Sequence, residues 1–212
     1  MSRRLPLFPL PGVVLLPGTI LPLHIFEARY RVMVADALAG DRTIGMAMLE
    51  PGGEGSETPR IYPIGGAGEI IDSEELEDGR YNILLQGRFR YRVIDEAHAD
   101  PYRVARVEEI RSVPFSQPGE RDRVLAATVA LFSEIAGELE LPPLPAEALE
   151  PERLASELAL RLRHTPPELQ TLLETDSLPA RFETLAARML EWKGRLHLLA
   201  PFRPKDLDPR RN

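Results

Sequence analysis

The spacing of apolar residues changes character near residue 112, and this change constrains the fold more than any other feature. Before it, short apolar runs alternate with Gly, Pro and Asp punctuation, the pattern of strands joined by turns. After it, apolar residues recur every three or four positions, the period of a helix with one buried face. Strands gathered first and helices afterwards place the chain in the α+β class. The expected organisation is a β subdomain over 1–112, a helical subdomain over 113–200 and a disordered tail over 201–212.

In the first half, residues 5–8 and 13–16 read as strands separated by Pro11-Gly12, with Pro17-Gly18 ending the second. Residues 27–39 read as a helix with Tyr30, Met33, Val34, Ala37 and Leu38 on one face, and Gly40 stands where it stops. Thr43 to Leu49 reads as a buried strand, and the Gly- and Pro-rich stretch 51–59 as a mobile loop. A meander follows over 68–96. Asp78-Gly79 predicts a two-residue hairpin turn, and Gly87 admits a bend. Phe89, Tyr91 and Val93 alternate with Arg88, Arg90 and Arg92, which predicts one face in and one out. With Tyr102 to Ile110 as a further strand, six or seven strands and one helix predict a small closed or half-closed β-barrel.

In the second half, 118–140 reads as a helix with Val124, Thr128, Leu131, Ile135 and Leu139 on one face, followed by a stiff proline linker over 141–145. Residues 151–163 carry Leu154, Leu158 and Leu162 at helical spacing. Thr165-Pro166-Pro167-Glu168 is a helix start: Thr165 caps, Glu168 reaches back, and Pro166 sits where its missing N–H costs nothing. From 178 to 199, Leu178, Phe182, Leu185, Met189, Trp192, Leu196 and Leu199 form a seam that buries against neighbouring helices rather than around a cofactor.

Composition excludes several kinds of chemistry. The formal net charge is -7, with 12 Lys+Arg against 17 Asp+Glu in 1–110 and 14 against 16 in 111–212. Neither half is a basic domain, which argues against nucleic acid as the partner. The absence of cysteine removes disulfides, thiolate nucleophiles and Cys-ligated metals, and suits a reducing cytoplasm. Neither lysine, Lys193 or Lys205, follows a glycine, so no P-loop is present, and there is no Gly-x-Ser-x-Gly elbow. The four histidines, His24, His98, His164 and His197, lie far apart. No catalytic, cofactor-binding or metal-binding residue is therefore assigned. Gly65-Gly66-Ala67-Gly68 leads into strand residues and reads as a turn or bulge, not a phosphate cradle. Pro6, Pro9, Pro11, Pro17 and Pro22 interrupt the apolar N-terminus too often for a secretory signal, and no run reaches the ~20 apolar residues of a membrane span.

Three stretches carry a resemblance. Leu5-Pro6-Leu7-Phe8-Pro9-Leu10, Val13 to Gly18, and Leu21-Pro22-Leu23-His24-Ile25-Phe26-Glu27-Ala28-Arg29-Tyr30 together resemble the N-terminal signature of Lon protease, of the peptidase S16 Lon-domain family. Asp78-Gly79-Arg80, Gly87-Arg88-Phe89-Arg90 and the run from Leu172 to Arg181 resemble later motifs of the same substrate-binding domain. The resemblance extends from about residue 5 to 198 and is weakest over 112–150. It implies a PUA-like β-barrel followed by an α-helical bundle, and a non-catalytic role in holding unfolded or client polypeptide, as an adaptor or holdase. A protease or chaperone is implied as a second partner. Full-length Lon also has an AAA+ motor and a Ser–Lys peptidase, and motifs of neither occur in these 212 residues.

An apolar groove between barrel and bundle is the expected binding site, lined by Phe8, Ile25, Phe26, Tyr30 and Tyr62. Arg88, Arg90 and Arg92 form a candidate basic face. One reading pairs it with acids such as Glu74, Glu75 and Glu77; the alternative is RNA, since PUA-like barrels also occur in RNA-modifying proteins. A structural or oligomerisation module without a ligand is the third reading.

Overall fold

The computed structural model describes residues 2–52, 59–97, 100–144 and 149–199. The expected tail over 201–212 and most of the 51–59 loop lie outside them. The elements run β1 (Ser2–Leu10), β2 (Ile20–Ile25), α1 (Ala28–Ala39), β3 (Thr43–Met48), β4 (Ile64–Glu75), β5 (Tyr81–Ala97), β6 (Val104–Ile110), α2 (Glu120–Ala136), α3 (Pro151–Arg161), α4 (Pro166–Glu174) and α5 (Leu178–Leu199). The fold is mixed, one sheet followed by helices, and the change of periodicity near residue 112 falls between β6 and α2.

The strands form one sheet in the order β2-β5-β4-β3-β1-β6, and β5 also pairs with β6. Five strands thus make a closed circuit of hydrogen-bonded pairs. The long strand β5 makes this possible by changing partners: residues 81–86 pair with β2 and residues 90–97 with β6. Register shifts between Ala67 and Gly68, Ile70 and Asp72, and Val93 and Asp95 coil the sheet on itself. Strand β1 is divided too. Ser2–Pro6 pairs with β6 and Leu7–Leu10 with β3. Proline cannot donate to a ladder, so a strand holding Pro6 and Pro9 is unsuited to full pairing along both sides.

Residues 13–16, expected as a strand, are irregular. They enter the fold differently. Leu15 and Leu16 are buried, and their carbonyls press on Gly66 of β4 and Gly87 of β5, where any Cβ would collide with them. Gly18 N–H then donates to Gly87 O at 2.8 Å and Gly87 N–H to Thr19 O at 2.9 Å. The run Gly65-Gly66-Ala67-Gly68 lies within strand β4, with the expected irregularity at the register shift between Ala67 and Gly68 rather than a turn, and Gly66 admits a crossing backbone. The Asp78-Gly79 connection is a three-residue loop over 77–79. Leu76 N–H donates to Arg80 O at 2.8 Å, and Gly79 takes a left-handed φ of 76°.

Two apolar clusters fill the sheet. One joins α1, through Tyr30, Met33, Val34 and Ala37, to Phe8, Ile44, Ile70 and Leu85. The other lies inside β1, β4, β5 and β6 around Tyr91, whose hydroxyl donates to Met46 O at 3.0 Å. A third cluster belongs to the helices: Phe132 and Ile135 of α2, Leu154 and Leu158 of α3, Leu172 and Leu173 of α4, and Phe182, Leu185 and Met189 of α5. The α5 seam is core, as its spacing predicts, while α2 buries Phe132 where the expected stripe had Leu131. Leu16 and Ile64 join this cluster from the first half, and Gln170 of α4 donates to Ile64 O at 2.9 Å. The helical half is thus packed on the sheet. Thr165 starts α4 as expected, its N–H donating to the Glu168 carboxylate at 2.6 Å with Pro166 in the first turn.

Candidate functional site

Strand β2 alternates an exposed set, Ile20, Pro22 and His24, with Leu21, Leu23 and Ile25, which pack inward. Among the described residues its one hydrogen-bonded neighbour is β5. The opposite edge pairs with no strand among the described residues, and Pro22 is tolerated there because an edge strand leaves one row of donors unused. Pro22 registers with Leu84, and Leu84 with Asp72; His24 registers with Asn82, and Asn82 with Glu74. The outer faces of β2, β5 and β4 thereby line a depression of about 450 Å³.

Its floor is Pro22 and Leu84, and its rim is polar. Arg80 Nη1 lies 3.1 Å from His24 Nε2, His24 Nδ1 lies 2.7 Å from Asn82 Oδ1, and Asn82 Nδ2 donates to Glu74 at 2.9 Å. A guanidinium only donates, so His24 Nε2 accepts and Nδ1–H donates to the amide oxygen. The chain fixes the ring and amide orientations of the rim. Arg80 is itself paired with Asp78 at 2.7 Å. Phe26, just past the strand, stacks on His24 with ring centroids 6.3 Å apart and is 63% exposed; Ile20, at the other end, is 51% exposed. An open strand edge with an apolar, concave neighbouring face is the surface to which an extended polypeptide can be added. Among the described residues no group of His, Asp or Glu is placed to hold a metal ion, and no helix is long and apolar enough to cross a membrane.

The expected lining residues divide. Phe8, Ile25 and Tyr30 are closed into the sheet core at 5%, 1% and 5% exposure and do not line an open groove. Phe8 and Tyr30 pack ring to ring at 4.3 Å, and burial pushes the Tyr30 phenol above its usual range. Phe26 alone of the five is strongly exposed, and Tyr62 is half-buried. The expected groove between sheet and helices is largely filled by packing. Among the described residues, a depression of about 340 Å³ of mixed charge lies there, with Arg88 and Arg111 alongside Glu109, Glu150 and Glu152.

The expected basic face does not exist as a unit. Arg88 is exposed and pairs with Glu69 at 2.8 Å, and Arg92 is exposed. Arg90 points outward from the sheet, as alternation predicts, but there it meets α4 and α5 instead of water. Its side chain is 0% exposed. It donates to Leu173 O at 2.8 Å and to Asp176 at 3.0 Å, closing the C-terminal end of α4. Cations are favoured where a helix leaves its last carbonyls unpaired. Arg181 joins from α5, donating to Thr175 O at 2.7 Å and Glu152 at 3.1 Å. Burial and the neighbouring Arg90 charge lower the Arg181 pKa, against the pull of Glu152 and Asp176. Ser112 sits between the two guanidiniums and donates to Glu152 at 2.6 Å. Two cations and two carboxylates make this a balanced joint between sheet and helices. The nearby Arg103 and Arg106 are paired with Glu96 and Asp95. This pairing disfavours RNA.

Ile20, Leu84, Asn82 and Asp72 carry no sequence signal of a site, and Pro22, His24 and Glu74 stand out in the sequence only as a proline, an isolated histidine and an acid near the arginines. The available signal was the period-two alternation of Ile20 to Ile25 with a proline inside it, which marks an edge strand.

The family model described as the ATP-dependent protease La (LON) substrate-binding domain matches residues 4–190. Among curated relatives, a Lon protease of Dictyoglomus thermophilum is 31% identical over 186 residues, covering 84% of this chain and 23% of the relative. Lon protease 2 of Myxococcus xanthus is 30% identical over 193 residues, covering 86% and 23%. The chain thus spans about a quarter of the length of these relatives. Among solved structures, a Lon N-terminal domain protein from Xanthomonas campestris shares the fold with a TM-score of 0.65 at 24% identity, over 87% of this chain and 98% of that one. The N-terminal domain of a Mycobacterium avium complex Lon protease gives 0.68 at 18% identity, over 89% and 99%.

Proposed function

This chain belongs to the Lon substrate-binding domain family, and from that premise we propose that it binds extended, unfolded client polypeptide without catalysing a reaction on it. The observation that carries the proposal is the open edge of β2, with exposed Ile20 and Phe26 flanking the concavity floored by Pro22 and Leu84. Main-chain pairing at such an edge supplies affinity for any extended segment, and apolar contact alongside it selects for sequences that a folded protein would bury. The closed strand circuit is, in our reading, a small PUA-like barrel, and α2 to α5 a bundle that braces it from outside. The mixed-charge depression at their junction is not the site. The reading makes the protein an adaptor or holdase that works in the cytoplasm, passing clients to a protease or chaperone.

The test is binding of the 212-residue chain to a labelled, permanently unfolded polypeptide, compared with the I20S/F26S double variant. Both side chains are exposed, so folding is retained. We expect saturable binding that weakens about tenfold in the variant, corresponding to about 1.4 kcal/mol. Undiminished binding by a folded variant would remove this surface from the account. No binding by the wild-type chain would remove the function.

A further inference from the structure

The charge around the β2 surface says which clients it takes. We propose that the preferred segment is extended and carries Lys or Arg beside the apolar side chain that settles on Pro22 and Leu84. This rests on the polypeptide-binding reading above and adds to it the chemistry of the occupant.

Asp72 and Glu74 line the depression, and neither forms an ion pair among the described residues. Among the described residues Asp72 accepts the N–H of its neighbour Ser73, at 2.9 Å, and Glu74 accepts the amide of Asn82. Of the arginines beside the hairpin and on β5, Arg80 is engaged by Asp78 and Arg88 by Glu69. The apolar floor is therefore bordered by two carboxylates without an ion-pair partner among the described residues; Glu74 is held through the Arg80–His24–Asn82 chain, and Asp72 accepts the N–H of Ser73. A Lys or Arg side chain fits both parts at once, because its aliphatic stem lies along apolar surface while its head stays at the polar rim. A segment rich in Asp or Glu meets like charge there, and the same carboxylates repel a nucleic-acid backbone.

The experiment uses the full chain and three fluorescent peptides of one extended pattern, alternating Leu and Ser. Two of the Leu positions, each with a retained Leu two residues away on the same face, are replaced by Lys, by Gln or by Glu. Binding is followed by anisotropy in low salt and in 1 M NaCl. Exposed pairs are individually weak, so the expected preference for Lys over Gln is about fivefold, with Glu weakest. It should collapse in 1 M salt, where the Debye length is about 3 Å. The D72K/E74K variant should reverse the order, and D72N/E74Q should erase it. Circular dichroism establishes that each variant is folded. Equal affinities for the three peptides overturn the cationic preference and leave the polypeptide-binding reading standing. A preference that survives in a folded D72N/E74Q or D72K/E74K protein overturns it as well. If no peptide binds, both the preference and the underlying function are refuted.

Discussion

Replacing Arg90 by Ala removes a buried side chain that ties the sheet to the C-terminal end of α4. Arg90 has a 0% exposed side chain and donates to Leu173 O, Asp176 and, at 3.4 Å, to Thr175 O and Ser112. Its Nε is unbonded, 3.8 Å from Glu152. Breaking a buried ion pair by removing one partner costs about 3–5 kcal/mol. Two features bring the cost to the lower end. Asp176 is 47% exposed and can take water instead, and Glu152 keeps Arg181. What cannot be replaced is the bond to the buried Leu173 carbonyl, worth about 1–3 kcal/mol when lost, together with the packing of the aliphatic stem. We expect R90A to lose about 3 kcal/mol, a large part of the roughly 5–15 kcal/mol that holds a typical native state. For a chain of this size that lowers Tm by about 6–12 °C. Urea and thermal unfolding followed by circular dichroism measure this directly. R88A and R92A, on the same strand but exposed, should each stay within about 0.5 kcal/mol of wild type. An R90A protein as stable as R88A would refute the claim that this arginine joins the two halves.

Gly66→Ala places a Cβ against the Leu15 carbonyl and should cost about 1–3 kcal/mol by overpacking, read as a lower urea midpoint, whereas Gly137→Ala, which meets nothing within 4 Å, should not destabilise. Glu168→Gln weakens the start of α4 and should cost about 0.5–2 kcal/mol at pH 7. The Thr165 N–H and hydroxyl lower the folded-state pKa of Glu168. Its contribution is therefore fully present above the unfolded carboxylate pKa and is lost as pH falls through the lowered value. The Tm gap between wild type and E168Q should narrow from pH 7 toward pH 3, and a constant gap would contradict the assignment.

The helical half was readable because its information is local. The α5 seam from Leu178 to Met189 and the Thr165–Glu168 start depend on spacing within a few residues, and both are present. The expectations that failed concern what lies across from a residue. Alternation correctly put Arg90 on the outside of its strand, but outside means solvent only if nothing packs there, and α4 and α5 do. Phe8, Ile25 and Tyr30 lie in the signature, yet only the tertiary path shows that Phe8 and Ile25 join Tyr30 of α1 in the sheet interior rather than an open groove. Leu15 and Leu16 look like strand residues by composition. Their conformation is set by Gly66 and Gly87, dozens of positions away, which open space for their carbonyls. Strand β2 was obscured by Pro22, the residue that marks it as an edge.

The central claim is that client polypeptide docks on β2 and the face beside it. Amide hydrogen exchange of the chain, with and without a saturating unfolded polypeptide, tests it most directly. Strand β2, whose backbone is open on one side among the described residues, should gain protection over Ile20–Phe26, with smaller gains near Leu84 and Asp72. Protection confined to α3–α5 or to the depression between Arg88 and Glu150, with β2 unchanged, would contradict the account.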